Sequence, residues 1–102
     1  MIKELTYNHF NVIKNDNLIH IIIFTALWCD SCKMAKVPLE ELSDIYDVYQ
    51  VDVEKELSIV SICHVTSIPT TIIIKNNKII TKESGYRSKT YYMNILNNIE
   101  NI

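Results

Sequence analysis

The chain has 102 residues and a mass of 11.9 kDa, enough for one packed core and not for two. Hydrophobic residues make up 48% of it, too many for a disordered chain, and a formal net charge of -2 with both signs well mixed offers nucleic acid no basic face. One glycine, two prolines and no repeat or low-complexity tract leave no room for a linker, so residues 1–102 read as one domain.

In chain order, Ile2 to Leu5 is a weak first strand, and Thr6 caps a helix running to about Asp16 with Phe10 and Ile13 inward. Leu18 to Ala26 is a strand apolar on both faces, which puts it in the middle of a sheet covered on both sides. It is too short for a membrane helix, which needs roughly 20 apolar residues, and His20 interrupts it. From Asp30 to about Tyr46 the spacing of Met34, Val37, Leu42 and Ile45 predicts an amphipathic helix bent by Pro38. Asp47 to Val53 is a strand, and Glu54 to Cys63 a short helix with Ile59, Val60 and Cys63 on one face. Thr70 to Ile74 and Lys78 to Thr81 form a hairpin about Asn76-Asn77, since Asn tolerates the positive φ of a two-residue turn. Ser88 caps a last helix that buries Tyr92, Ile95, Leu96 and Ile99.

The order β-α-β-α-β-α-β-β-α implies an α/β fold, a mixed central sheet of about five strands with helices on both faces. Function in such a sheet belongs at the C-terminal ends of its parallel strands. Trp28-Cys29-Asp30-Ser31-Cys32 follows directly on the second strand. Two cysteines three residues apart on a helix have Cα atoms on the order of 5 Å apart, which suits a disulfide. Cys29 would sit at the helix N-terminus, where the macrodipole and unpaired N–H groups favour a thiolate, and Cys32 one turn inside would be the resolving thiol. Structural zinc usually takes a second pair of ligands, and Cys63, His64, His9 and His20 stand at no such spacing, so neither a metal nor another cofactor is expected. The N-terminal residues carry no secretory signal, which makes the expected compartment cytoplasmic, where three cysteines favour redox chemistry over a structural framework. Cys63 reads as a small buried hydrophobe, with a second resolving thiol as the alternative. His64 reads as a solvent-facing helix end; His9 and His20 receive no role.

Two separated motifs resemble the thioredoxin family: Ala26-Leu27-Trp28-Cys29-Asp30-Ser31-Cys32-Lys33-Met34, and Ser67-Ile68-Pro69-Thr70 before the fourth strand. Their separation is similar as well, as are Asp52, Lys75-Asn76-Asn77 and Ser84-Gly85, so the resemblance covers nearly the whole chain. It implies the thioredoxin fold and a thiol–disulfide oxidoreductase that reduces protein disulfides through Cys29 and Cys32. It further implies a cis Ile68–Pro69 bond beside the sulfurs and a flat apolar rim of Trp28, Ile68, Pro69 and Gly85 for docking substrates. The implied partners are disulfide-containing proteins and, as electron donor, a reductase or low-molecular-weight thiol; the chain is expected to be a monomer that binds neither nucleic acid nor membrane. Read from the residues alone, Pro69 is a strand-start proline, Trp28 a partly buried indole and Gly85 a position of positive φ.

Four departures bear on that chemistry. Ile23 stands where the family has a buried carboxylate, and Val48 where it has the accompanying lysine. The residues between the cysteines are Asp30 and Ser31; Asp30 opposes a thiolate at Cys29 while the helix dipole favours it. Proline comes one position late, at Pro38, with Val37 in the expected place. The missing carboxylate motivates a second reading, a binding or accessory module on the same fold, and an oxidising or isomerising enzyme is a third.

Overall fold

The apolar stretch Ile21 to Phe24 is the middle of the molecule, every side chain in it closed off from solvent. The structure, a computed structural model, describes residues 1–100. Its elements are β1 (Lys3–Glu4), α1 (Tyr7–Ile13), β2 (His20–Thr25), α2 (Asp30–Leu42), β3 (Asp47–Asp52), α3 (Leu57–Ile62), β4 (Thr70–Lys75), β5 (Lys78–Ser84) and α4 (Lys89–Glu100). The sheet order is β1-β3-β2-β4-β5. β1, β3 and β2 run parallel, and β4 and β5 antiparallel to their neighbours, as a mixed sheet ending in a hairpin requires.

Alternation along the strands sorts the core into two layers. Ile22, Phe24, Tyr49, Val51, Ile72 and Ile74 pack under α1 and α3 with Phe10, Ile13 and Ile59. Ile21, Ile23, Val48 and Ile73 pack under α2 and α4 with Ala35, Leu39, Leu42, Tyr92 and Leu96. Local chemistry agrees at the ends. Thr6 Oγ1 accepts from the His9 N–H and Ser88 Oγ from the Tyr91 N–H, while Asn76 and Asn77 take φ of 53° and 62° at the hairpin turn.

The long helix departs from expectation in phase and length. Met34, Val37 and Ile45 are 64%, 58% and 64% exposed, and the buried stripe is Cys32, Ala35, Pro38, Leu39 and Leu42. The phase is set at the start of α2, because turning Cys32 inward beneath Cys29 brings positions three, seven and ten residues further on to the core. Ile45 lies past the end of the helix, which stops at Leu42. Pro38 sits inside it on the buried side.

His20, given no role by its sequence context, is buried at the start of β2, with Nε2 2.8 Å from Asp16 Oδ1 and Nδ1 3.7 Å from Asp47 Oδ2. Burial works against the Asp16 charge, but the Leu18 N–H and His20 outweigh it and hold the Asp16 carboxyl below its ordinary range. This pairing closes the end of the sheet remote from the cysteines.

The corrected helix phase gives an expected outcome in urea unfolding. Leu39→Ala removes a fully buried side chain and should cost about 2–5 kcal/mol. Met34→Ser and Val37→Ser, on the exposed face, should stay within about 0.5 kcal/mol of the parent. Large losses for the second pair would put the helix in the other phase.

Candidate active site

β2 ends at Thr25, and within five residues the chain turns into α2 with Cys29 as its N-cap. The Cys29 N–H donates to the Ala26 carbonyl at 3.2 Å, which tightens that turn, and the Cys32 N–H donates to Cys29 Sγ at 3.3 Å. The sulfur of Cys29 therefore accepts from one of the helix's unpaired N–H groups, the arrangement that stabilises negative charge at this atom when the pair is reduced. Cys29 and Cys32 are at disulfide-bonding distance, with Cα atoms 5.3 Å apart, and both are buried against Ala26, Val53 and Ile68. Ser31 Oγ lies 3.4 Å from Cys29 Sγ. Asp30 is 97% exposed, and Lys33 Nζ sits 3.5 Å from its carboxylate, so a compensating charge accompanies the acid beside Cys29.

The second motif meets the first in space. The Ile68–Pro69 peptide is cis, and Ile68 packs against Cys29 and Cys32. Thr70 Oγ1 donates to the Ser67 carbonyl at 2.7 Å, which closes the turn around the proline. Gly85, at φ 78°, donates its N–H to the Pro69 carbonyl at 2.8 Å, so the loop after β5 lies alongside. No atom would crowd a Cβ at Gly85; the positive φ is what calls for glycine there.

Trp28 is 66% exposed, not partly buried, and its indole is pinned: Nε1–H donates to Glu54 Oε1 at 3.0 Å. Sequence reasoning missed Glu54. It lies in the turn after β3, where Asp52 Oδ1 accepts from the Glu54 N–H at 2.9 Å; an aspartate followed two residues on by a polar side chain was the available signal. Trp28, Val53, Val60, Val65, Thr66, Ser67 and Ile68 line an open cavity of about 330 Å³ on the surface beside the cysteines. A larger hollow of about 540 Å³ opens by Asn17, Ile45 and Lys75, beyond the remote ends of the strands, and holds no thiol.

Ile23 and Val48 both lie in the apolar layer under α2 and α4, but they are not register partners, since Val48 pairs with Ile21. Ile23 pairs in register with Gln50 on one side and Thr71 on the other. The hydroxyls of Thr25 and Thr71 are buried on this face with no hydrogen-bond partner among the described residues. Among the same residues no group of three or more His, Cys, Asp or Glu is placed to hold a metal ion, and no helix is long and apolar enough to cross a membrane.

Cys63 is buried under α3 with Ile59, away from the cysteine pair in the packing. Burial pushes its thiol up to about 11, against the pull of Lys82 and Lys14. Lys82 Nζ bonds the carbonyls of Cys63 and His64 at 2.7 and 3.2 Å, satisfying the end of α3, and His64 turns the chain at φ 53° with an exposed side chain.

Comparison with known proteins gives a consistent picture. A family model described as thioredoxin matches residues 1–98. Thioredoxin of Staphylococcus saprophyticus is 34% identical over 82 residues, 74% of this chain and 79% of that protein. Thioredoxin H2 of Arabidopsis thaliana is 30% identical over 80 residues, 76% of this chain and 60% of the plant protein's length. In three dimensions the crystal structure of thioredoxin from Trypanosoma brucei brucei matches with a TM-score of 0.86 at 24% identity, covering 100% of this chain and 93% of that one.

The raised Cys63 thiol has a consequence for stability. The native state keeps its proton to about pH 11, whereas the unfolded thiol loses it near 9, so the native state binds more protons across that window and stability falls as pH rises through it. Burial pushes the Tyr49 and Tyr92 hydroxyls up too, with the same sign. Urea midpoints at pH 7.5, 9 and 10.5 should decline, and Cys63→Ala should flatten part of the decline. An unchanged slope would mean that Cys63 titrates alike in both states.

Proposed function

The chain belongs to the thioredoxin family and is a thiol–disulfide oxidoreductase, and on that premise we propose that residues 1–102 act as one unit that reduces disulfides of protein substrates, with Cys29 attacking and Cys32 resolving. The observation that carries this reading is the Cys29 sulfur at the N-cap of α2, facing Ile68 of the cis-proline turn.

The Cys29 thiolate attacks one sulfur of the substrate disulfide, forming a mixed disulfide as the substrate S–S bond breaks and one substrate thiolate leaves. Cys32 loses its proton and attacks the Cys29 sulfur; the intramolecular disulfide forms and the second substrate thiolate departs. Two electrons pass from the dithiol to the substrate. A reductase or low-molecular-weight thiol returns them, and the work is done in the cytoplasm by a monomer. Trp28, Ile68, Pro69 and Gly85 form the rim against which the substrate chain lies, and Asp30 and Ser31 adjust the charge and hydrogen bonding of Cys29. With Ile23 in the apolar layer below, the proton of Cys32 goes to water, and the resolving step is the slower of the two.

Cys29→Ser should reduce turnover of a disulfide-linked protein to background, and Cys32→Ser should accumulate a mixed disulfide with substrate that is visible by non-reducing mass spectrometry. Full activity of Cys29→Ser would overturn the assignment. The reduction potential of a Cys63→Ser protein, equilibrated in graded thiol–disulfide buffers, should fall near thioredoxin's roughly -270 mV. A value of about -180 to -120 mV would make the enzyme an oxidant or isomerase. Failure of the Cys29–Cys32 disulfide to form at all would leave a binding module.

A further inference from the structure

The cavity beside Trp28 is lined by four apolar side chains, two hydroxyl residues and an indole, none of them charged. One ionic group is fixed at its edge. Glu54 follows Val53, which lines the cavity, and its carboxylate takes the indole N–H of Trp28, which also lines it. The backbone of Glu54 is held in turn by Asp52 Oδ1. An indole N–H is neutral and donates only, so the bond fixes the ring without cancelling the charge. Among the described residues Glu54 has no ion-pair partner, whereas Asp30, two residues after Trp28 in the chain, is paired with Lys33.

We propose that Glu54 selects substrates by charge: it holds Trp28 as one wall of the cavity and presents an uncancelled negative charge at the mouth, so that preferred disulfides are flanked by an apolar side chain and a lysine or arginine. This rests on reading Trp28 and Ile68 as the docking rim. An apolar side chain of the substrate fills the cavity, and a basic neighbour meets the carboxylate at its edge. Charge pairs at such a rim chiefly affect encounter and choice of partner, and salt screens them.

The test uses two synthetic disulfide peptides that differ only in Lys or Glu two residues from the cysteine, with bis(2-hydroxyethyl) disulfide as an uncharged control. The parent protein should favour the Lys peptide in kcat/KM by about threefold, less at high ionic strength. Glu54→Gln keeps an acceptor for the indole, so it should retain the fluorescence anisotropy of Trp28, the sole tryptophan, while losing the preference. Glu54→Ala should lower that anisotropy and raise KM for both peptides. No preference in the parent, a preference that survives in Glu54→Gln, or an unaltered Trp28 signal in Glu54→Ala overturns the proposal. Failure to reduce even the uncharged control would instead overturn the reductase reading, and the charge selection with it.

Discussion

Everything in this molecule depends on burying β2 from both sides. Four consecutive residues, Ile21 to Phe24, lose all contact with water, and a strand can do that only with paired neighbours on both edges and helices on both faces. The parallel pairing with β3 forces the chain to cross the sheet through α2, whose N-terminus then stands over the C-terminal end of β2. Cys29 is where it is because of that geometry. Its sulfur meets a helix N–H on one side and the turn before β4 on the other, and neither contact exists until the layers have closed.

Ile23 and Val48, both apolar and both buried in the layer under α2 and α4, have a plain thermodynamic sense. An unpaired charge in the layer under α2 and α4 would be strongly unfavourable, so a carboxylate or a lysine surviving alone there would destabilise the fold, while two hydrocarbon side chains add to its packing. Neither hydrocarbon side chain can hold a proton. The buried hydroxyls on this face, Thr25 and Thr71, are neutral and take up no proton near neutral pH, while at its edge Gln50, the register partner of Ile23, accepts from Lys36.

Much of this was legible in the sequence because the signals were local. A doubly apolar β2, the Asn76-Asn77 turn, the Thr6 and Ser88 caps and the cysteine spacing each follow from chemistry within a few residues. The phase of α2 was not legible. Met34 and Val37 are as hydrophobic as Ala35 and Leu39, and the choice between the two stripes is made by Cys32 and the sheet, which periodicity alone does not see. Glu54 and the His20 pairing were hidden for a related reason. The Trp28–Glu54 bond spans 26 residues and appears only after the β3 turn is folded beside the α2 start, while His20 is covered only once β3 and β4 pair on either side of β2.

The burial of Cys63 also bears on how the protein is made. An unfolded chain with three thiols has three ways to close one disulfide, and two of them tie Cys63 to the catalytic pair. Once α3 packs against the sheet, Cys63 is sealed among Ile59, Val65 and Ile72 and only the native closure remains. Order of events therefore matters: a chain that folds before it meets an oxidant has a single outcome, and one oxidised during synthesis or refolding does not. Burial of Cys63 thus makes correct pairing of the catalytic cysteines depend on folding coming before oxidation.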